Sequence, residues 1–194
     1  MHKKNHMLEK LIEADKNLLL TINRWHAPWL DPVMLFLTQT WAWIPLYALL
    51  IYFIIKIYKK RSWIPLTGAA LTVLFADRLT SGLMKPFFAR PRPSHEPDMA
   101  GVLHLVNGYK GSEFGFVSGH AANSFGVALF VWLILRDHYP HSAWLFAWAA
   151  FMSYTRLYLG VHYPGDILGG ALTGLMCAGI VYWSIKKHLR KSVY

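Results

Sequence analysis

The stretch "TRLYLGVHYPGD", residues 155–166, sets an arginine, a histidine and an aspartate between two long apolar runs. Charged groups at membrane depth are costly unless solvated, paired or used, so they mark function. The flanking runs, 142–159 and 164–185, are each close to the roughly 20 residues that carry a helix across a bilayer. Further runs of similar character cover 41–57, 63–84 and 114–135. The reading is an all-α, polytopic bundle of five transmembrane crossings.

Composition agrees. The chain has 194 residues, 55% hydrophobic and 15% charged, against roughly 25% charged in soluble domains. Nine Trp and ten Tyr suit interfacial anchoring. A net charge of +10 raises nucleic acid as a partner, but the positive charges sit at the ends of apolar runs and form no basic stripe, which excludes it. Cys177 is the single cysteine, so no intramolecular disulfide forms. The first forty residues lack the apolar core and small-residue cleavage site of a signal peptide.

Residues 8–25 carry a helical stripe of Leu8, Leu11, Ile12, Leu18 and Leu19 among charged residues, which predicts an amphipathic helix lying at the interface. Residues 30–40 are apolar but short, and offer a sixth crossing as the weaker alternative. The chain reads as one domain, 1–194, with 1–40 an interfacial segment and 41–194 the membrane bundle. The basic clusters "KIYKKR" (56–61) and "KKHLRK" (186–191) belong on the cytoplasmic side. Five crossings then put "RDHYPH" (136–141) and the C-terminus inside, and the loops 85–113 and 155–162 outside with the N-terminal helix. Glycines at 165/169 and 170/174, with Ala178, have the four-residue spacing of close helix packing.

Three polar groups converge on that outer side. In "KPFFARPRP" (85–93), Lys85 ends a helix and Arg92 follows; Asp77 and Arg78 lie about two turns earlier, either as a buried ion pair supporting Lys85 or as a shallow pair without a role. In "GFVSGHAANSFG" (115–126), Ser118 is a candidate N-cap, Gly119 admits a ligand near the backbone, and His120 faces any anion bound at the helix start. In the opening stretch, Arg156 ends one helix, while Asp166, four residues after His162, can accept the imidazole Nδ1–H and leave Nε2 free as a nucleophile. Each group alone has a bland reading as a snorkelling end, a cap or a dipole partner. Together, three cations, two histidines and a helix N-terminus suit phosphoryl transfer, which depends on positioning and on neutralising phosphoryl oxygens. No Asp, Glu or His cluster has clear metal-ligand spacing, so catalysis without metal or cofactor is expected.

These motifs resemble those of the type 2 phosphatidic acid phosphatase (PAP2) superfamily: Lys85 followed by Arg92-Pro93, then Val117-Ser118-Gly119-His120, then Thr155-Arg156, His162 and Asp166. Val117 and Thr155 stand where the family pattern has proline and serine. The resemblance implies that His162 attacks phosphorus, that Asp166 orients it, and that His120 protonates the leaving oxygen and later activates water. It assigns Lys85, Arg92, Ser118, Gly119 and Arg156 to phosphate binding. It implies a lipid phosphate or pyrophosphate phosphatase of a bacterial inner membrane with an outward-facing site. Undecaprenyl pyrophosphate is the first choice of substrate. Phosphatidylglycerol phosphate, lipid A phosphates and a lipid phosphotransferase reaction are the alternatives, and the loop 94–113 helps choose among them.

Overall fold

The computed structural model describes the backbone of residues 2–190 and the side chains of 6–189; Lys191, the end of the C-terminal basic cluster, lies outside the described residues. Among these, regular structure is helical throughout, with only an isolated bridge between Pro91 and Phe114. The helices are α1 (His2–Asn23), α2 (Asp31–Leu37), α3 (Ile44–Tyr58), α4 (Trp63–Asp77), α5 (Lys85–Phe88), α6 (Gly119–Leu135), α7 (Leu145–Tyr158) and α8 (Pro164–Arg190). Helical turns at Thr40–Trp43 extend α3 backwards, and a π-helical turn, Arg78–Met84, joins α4 to α5.

The expected runs recur with shifted ends. Phe114 was expected to begin a helix, but it bridges to Pro91, and Ser118 caps the true start, its Oγ accepting the Ala121 N–H. Among the described residues, two helical stretches, Thr40–Arg61 and Pro164–Leu189, are long and apolar enough to cross a membrane. The 17-residue α6 is apolar but shorter. Helix α2 has seven residues, a rod of about 10 Å, and cannot by itself cross a hydrocarbon layer of about 30 Å.

The core packs α4, α6, α7 and α8, with Phe130, Leu135, Leu145 and Ala178 fully or almost fully buried. The small residues of α8 act as the spacing suggests. A Cβ on Gly170 or Gly174 would collide with the α6 carbonyls of Ser118 and Ala122, so backbones touch here because side chains are absent. Helix α1 behaves differently from a simple amphipathic rod. Leu8, Leu11, Ile12 and Leu18 are exposed, whereas Asp15, Leu19 and Asn23, spaced by four, form the seam against the protein. Polar residues thus face inward.

The bundle has two chemically distinct ends. Arg61 and His188 line one small pocket, bringing the two basic clusters together. The 136–141 link sits near them, Tyr139 packing its ring on Phe53. The chain ends that carry Lys85, Ser118, Arg156 and His162 all meet at the opposite end.

Candidate active site

His162 occupies the tight link between α7 and α8, 1% exposed. Gly160, with φ +67°, makes the turn, and Pro164 starts α8 where its missing N–H costs nothing. The geometry fixes one tautomer. His162 Nδ1 lies 3.3 Å from Asp166 Oδ2, and Nε2 lies 3.0 Å from Arg92 Nη1. An arginine can only donate, so Nε2 is the bare acceptor and Nδ1 carries the proton. Burial, followed by the charges of Arg92, Arg156 and Lys85, pushes the imidazole well below the usual histidine range. The ring is therefore neutral near pH 7, with its lone pair directed at a cation.

The cations around it have unusual company. Arg92 donates to the carbonyls of Phe114 and Val161, to Ser112 Oγ and to His162. Arg156 donates to Thr38 Oγ1 at 2.6 Å and Tyr109 Oη at 3.3 Å, and its Nε is buried without a partner. Arg92 is 5% exposed and Arg156 2%, yet among the described residues neither forms an ion pair. Burial and the neighbouring Arg156 bring Arg92 down to about 10. Lys85 is lowered by burial first and by Arg92 next. Its Nζ reaches Ser81 Oγ at 3.5 Å, and Ser81 donates to Asp77. Asp77 and Arg78 are exposed, and among the described residues no ion pair joins them, which overturns the buried-pair alternative. A Cβ on Gly119 would sit 3.9 Å from Lys85 Nζ, so the α6 N-terminus and the lysine share one space. His120 stands on the first turn of α6, within electrostatic reach of Arg156, His162 and Arg92.

All eight expected residues therefore meet at one end of the bundle. Sequence reasoning missed Thr38, Tyr109, Ser112 and Arg90. Arg90 stood inside "KPFFARPRP" and its charge was a usable signal; the neutral partners of Arg92 and Arg156 gave none. The loop 94–113 packs down, Val106 buried and only Val102 of "VLHLV" strongly exposed.

Among the described residues, one group has potential metal-ligand atoms within 4.8 Å: His26, Asp31 and His104. It was invisible in the sequence because His104 is 73 residues from Asp31. His104 Nε2 bonds both Asp31 oxygens, at 3.1 and 3.0 Å, and Asp31 also accepts from Tyr158 Oη. The imidazoles stack 3.6 Å apart and nearly parallel. In-plane lone pairs of parallel rings run side by side and do not converge on an ion. The arrangement acts as a hydrogen-bonded latch between the α1–α2 link and the loop 94–113.

Buried cations facing a neutral, oriented imidazole suit phosphoryl transfer, and the apolar helices behind them suit a phosphatase of the membrane. The sequence profile of the PAP2 superfamily matches residues 41–190, and the chain belongs to that superfamily as one of its phosphatases. A lipid A 4'-phosphatase of Bacteroides thetaiotaomicron is 39% identical over 183 residues, 93% of this chain and 81% of the relative. An undecaprenyl-diphosphatase of Sulfolobus acidocaldarius is 30% identical over 177 residues, 85% of this chain and 78% of the relative. The crystal structure of Aquifex aeolicus LpxE superposes with a TM-score of 0.65 at 28% identity, covering 86% of this chain and 93% of that one.

Proposed function

We propose that the protein removes a phosphate monoester from a lipid headgroup, most readily a lipid A 4'-phosphate, through a phosphohistidine on His162. The observation that carries this reading is the pair of buried guanidinium groups, Arg92 and Arg156, without an anionic partner. Buried charges are normally paired, and a phosphoryl group supplies the missing anion bidentately. Lys85 and the N–H groups at the start of α6, capped by Ser118 and opened by Gly119, complete the cradle.

His162 Nε2 attacks phosphorus as the bond to the lipid oxygen breaks, and His120 gives that oxygen its proton. Asp166 holds the Nδ1–H of the nucleophile. In the second half, His120 takes a proton from water, whose oxygen attacks phosphorus, the P–N bond breaks, and inorganic phosphate leaves. Arg92 Nη1 now occupies the approach to Nε2, so substrate binding draws it onto a phosphoryl oxygen. No metal enters these steps.

A cavity of about 700 Å³ beside His120, walled by Leu50, Ile54, Val73, Val127 and Val131, supports an apolar tail. Three cations match one phosphoryl group. Arg90, the next cation along the chain, is engaged by two carboxylates, which disfavours a pyrophosphate and with it undecaprenyl pyrophosphate. The 39% relative supports the same preference. The chain is read as one domain, 1–194, with an interfacial segment 1–40 and a catalytic bundle 41–194. It crosses a bacterial inner membrane five times, with the site outside and the C-terminus in the cytoplasm.

The test is phosphate release by purified protein in detergent with EDTA, offered lipid A, undecaprenyl pyrophosphate and phosphatidylglycerol phosphate in parallel, with His162→Ala as control. Fastest release from lipid A, abolished by the substitution, is expected. Faster release from the pyrophosphate would overturn the substrate, and persistence in His162→Ala would overturn the nucleophile.

A further inference from the structure

Asp166, which faces the proposed nucleophile, is held by an ion pair to Arg90, a residue to which the family resemblance assigns no role. The carboxylate has no exposed surface. Its Oδ2 accepts from His162 Nδ1 and from the Tyr163 N–H, and its Oδ1 accepts from Arg90 Nη1 at 3.0 Å. The other amino group of Arg90, Nη2, donates to Asp15 Oδ2 at 2.8 Å, while the guanidinium carbon lies 4.1 Å from the centroid of the Tyr163 ring. Asp15 Oδ1 in turn accepts the Gly165 N–H at 2.7 Å. That donor belongs to the first turn of α8, where backbone N–H groups have no helical partner.

The chain of contacts therefore runs from α1 to the imidazole: Asp15, Arg90, Asp166, His162. A Cβ at residue 165 would lie 2.9 Å from Asp15 Oδ2, so a side chain there pushes the carboxylate aside. Asp15 lies outside the 41–190 region that the family profile covers. It reaches the site because α1 presents Asp15, Leu19 and Asn23 to the protein and its leucine stripe outward. A guanidinium held by Asp166 alone could rotate about its side-chain bonds; bridged between two carboxylates and lying on an aromatic face, it has one placement.

We propose that Arg90 and Asp15 are positioning residues for the phosphatase reaction. Arg90 holds the Asp166 carboxylate in the orientation that receives the His162 Nδ1–H, Asp15 holds Arg90, and α1 is thereby part of the catalytic apparatus. This rests on the reading of His162 as nucleophile. Neither residue belongs to the cradle of Lys85, Arg92 and Arg156, so their loss acts on turnover and spares substrate affinity. Around His162, Lys85, Arg92 and Arg156 disfavour the imidazolium and Asp166 favours it. With Arg90 gone, the charge of Asp166 is uncompensated and the imidazole takes up its proton at higher pH.

The experiment measures kcat, KM and the pH dependence of kcat for Arg90→Gln, Asp15→Asn, their double variant, Arg90→Lys and Gly165→Ala, beside His162→Ala. Arg90→Gln is expected to lower kcat about 10- to 100-fold, the range typical of outer-shell partners, to leave KM unchanged, and to move the acid limb upward. Asp15→Asn gives a smaller loss of the same kind. The double variant is no worse than Arg90→Gln, since the two act in series. Arg90→Lys recovers part of the rate. Gly165→Ala keeps every charge, displaces Asp15 and reproduces Asp15→Asn, which also tests the idea should Arg90→Gln fail to fold. Wild-type kcat and acid limb in Asp15→Asn, Gly165→Ala and Arg90→Gln, with His162→Ala inactive, would overturn the positioning role alone. Additive losses confined to thermal stability would reduce the chain to a structural salt bridge and overturn it too. Activity in His162→Ala would overturn the nucleophile and this inference together.

Discussion

Replacing Arg156 by methionine separates the demands of binding from those of folding. The guanidinium is 2% exposed, bonds only the neutral oxygens of Thr38 and Tyr109, and leaves Nε unpaired. Substituting an apolar side chain of similar volume for buried charged groups is often neutral or stabilising by about 1–4 kcal/mol. Each kcal/mol moves the midpoint by about 2–4 °C for a chain of this size. Arg156→Met should thus unfold at the wild-type temperature or several degrees above it in phosphate-free detergent. Inorganic phosphate then reverses the order. A ligand at 100 times its Kd adds about 2.7 kcal/mol, so wild type gains about 5–11 °C and the variant gains little. Turnover of lipid A falls by at least about 100-fold, as expected when two or more charge-assisted hydrogen bonds of about 1.5–3 kcal/mol each are lost. The assay is thermal unfolding by intrinsic fluorescence, with and without phosphate, beside phosphate release. A variant that melts well below wild type in phosphate-free buffer, or that keeps the full phosphate shift, would refute the idea of a cation held ready for an anion.

His162 is held well below the usual histidine range by burial and three cations, so the acid limb of kcat, where the imidazole takes up a proton and can no longer attack, lies below about pH 6.5; an acid limb above that value would contradict the neutral nucleophile. The same depression has a stability sign. The unfolded histidine binds the proton more tightly, so this contribution is complete above about pH 6.5 and is lost as pH falls towards the folded value, readable as a falling midpoint on acidification. Thr38→Val removes the acceptor 2.6 Å from Arg156 Nη1 and should cost about tenfold in kcat/KM, with Thr38→Ser restoring it, as one hydrogen bond to a charged group is worth about 1.5–3 kcal/mol. Gly174→Ala drives a methyl into the Ala122 carbonyl on α6 and should lower stability by about 1–3 kcal/mol, seen in the unfolding midpoint.

The apolar runs and the three motifs were legible because each depends on local spacing. Period, length and hydropathy mark a membrane helix, and a histidine four residues before an aspartate lies within one loop and one helical turn. What stayed hidden depends on distance along the chain. Asp15 meets Gly165 across 150 residues, and Thr38 meets Arg156 across 118. Nothing in the pattern of 8–25 shows that Asp15 and Asn23 turn inward, because an amphipathic stripe ranks residues by polarity and ignores the partners that can make burial favourable. The contacts of segment 30–40 were hidden for the same reason. It is apolar because α2 packs Met34 against Val106 and Tyr158, and it ends at Thr38 because that residue is needed beside the arginine.

The charges that touch His162 are sorted by sign along the imidazole. Asp166 lies beyond Nδ1, with Arg90 and Asp15 behind it, while Arg92 lies at Nε2 and Arg156 and Lys85 act on the ring from within electrostatic reach. Mixed placement would let each guanidinium pair with a carboxylate and cancel the field. On the proposed reading, sorted placement keeps the cations unneutralised where phosphoryl oxygens arrive, and keeps the carboxylate where it orders the proton on Nδ1. The neutral partners, Thr38, Tyr109 and Ser112, follow from this requirement, because they satisfy guanidinium geometry without opposing its charge. A carboxylate in any of those places would strengthen the fold and occupy the site in advance. In the proposed mechanism, marginal stability of the buried cations is the condition for binding a dianion, and the low-dielectric surroundings that make them costly also strengthen their hold on the transition state.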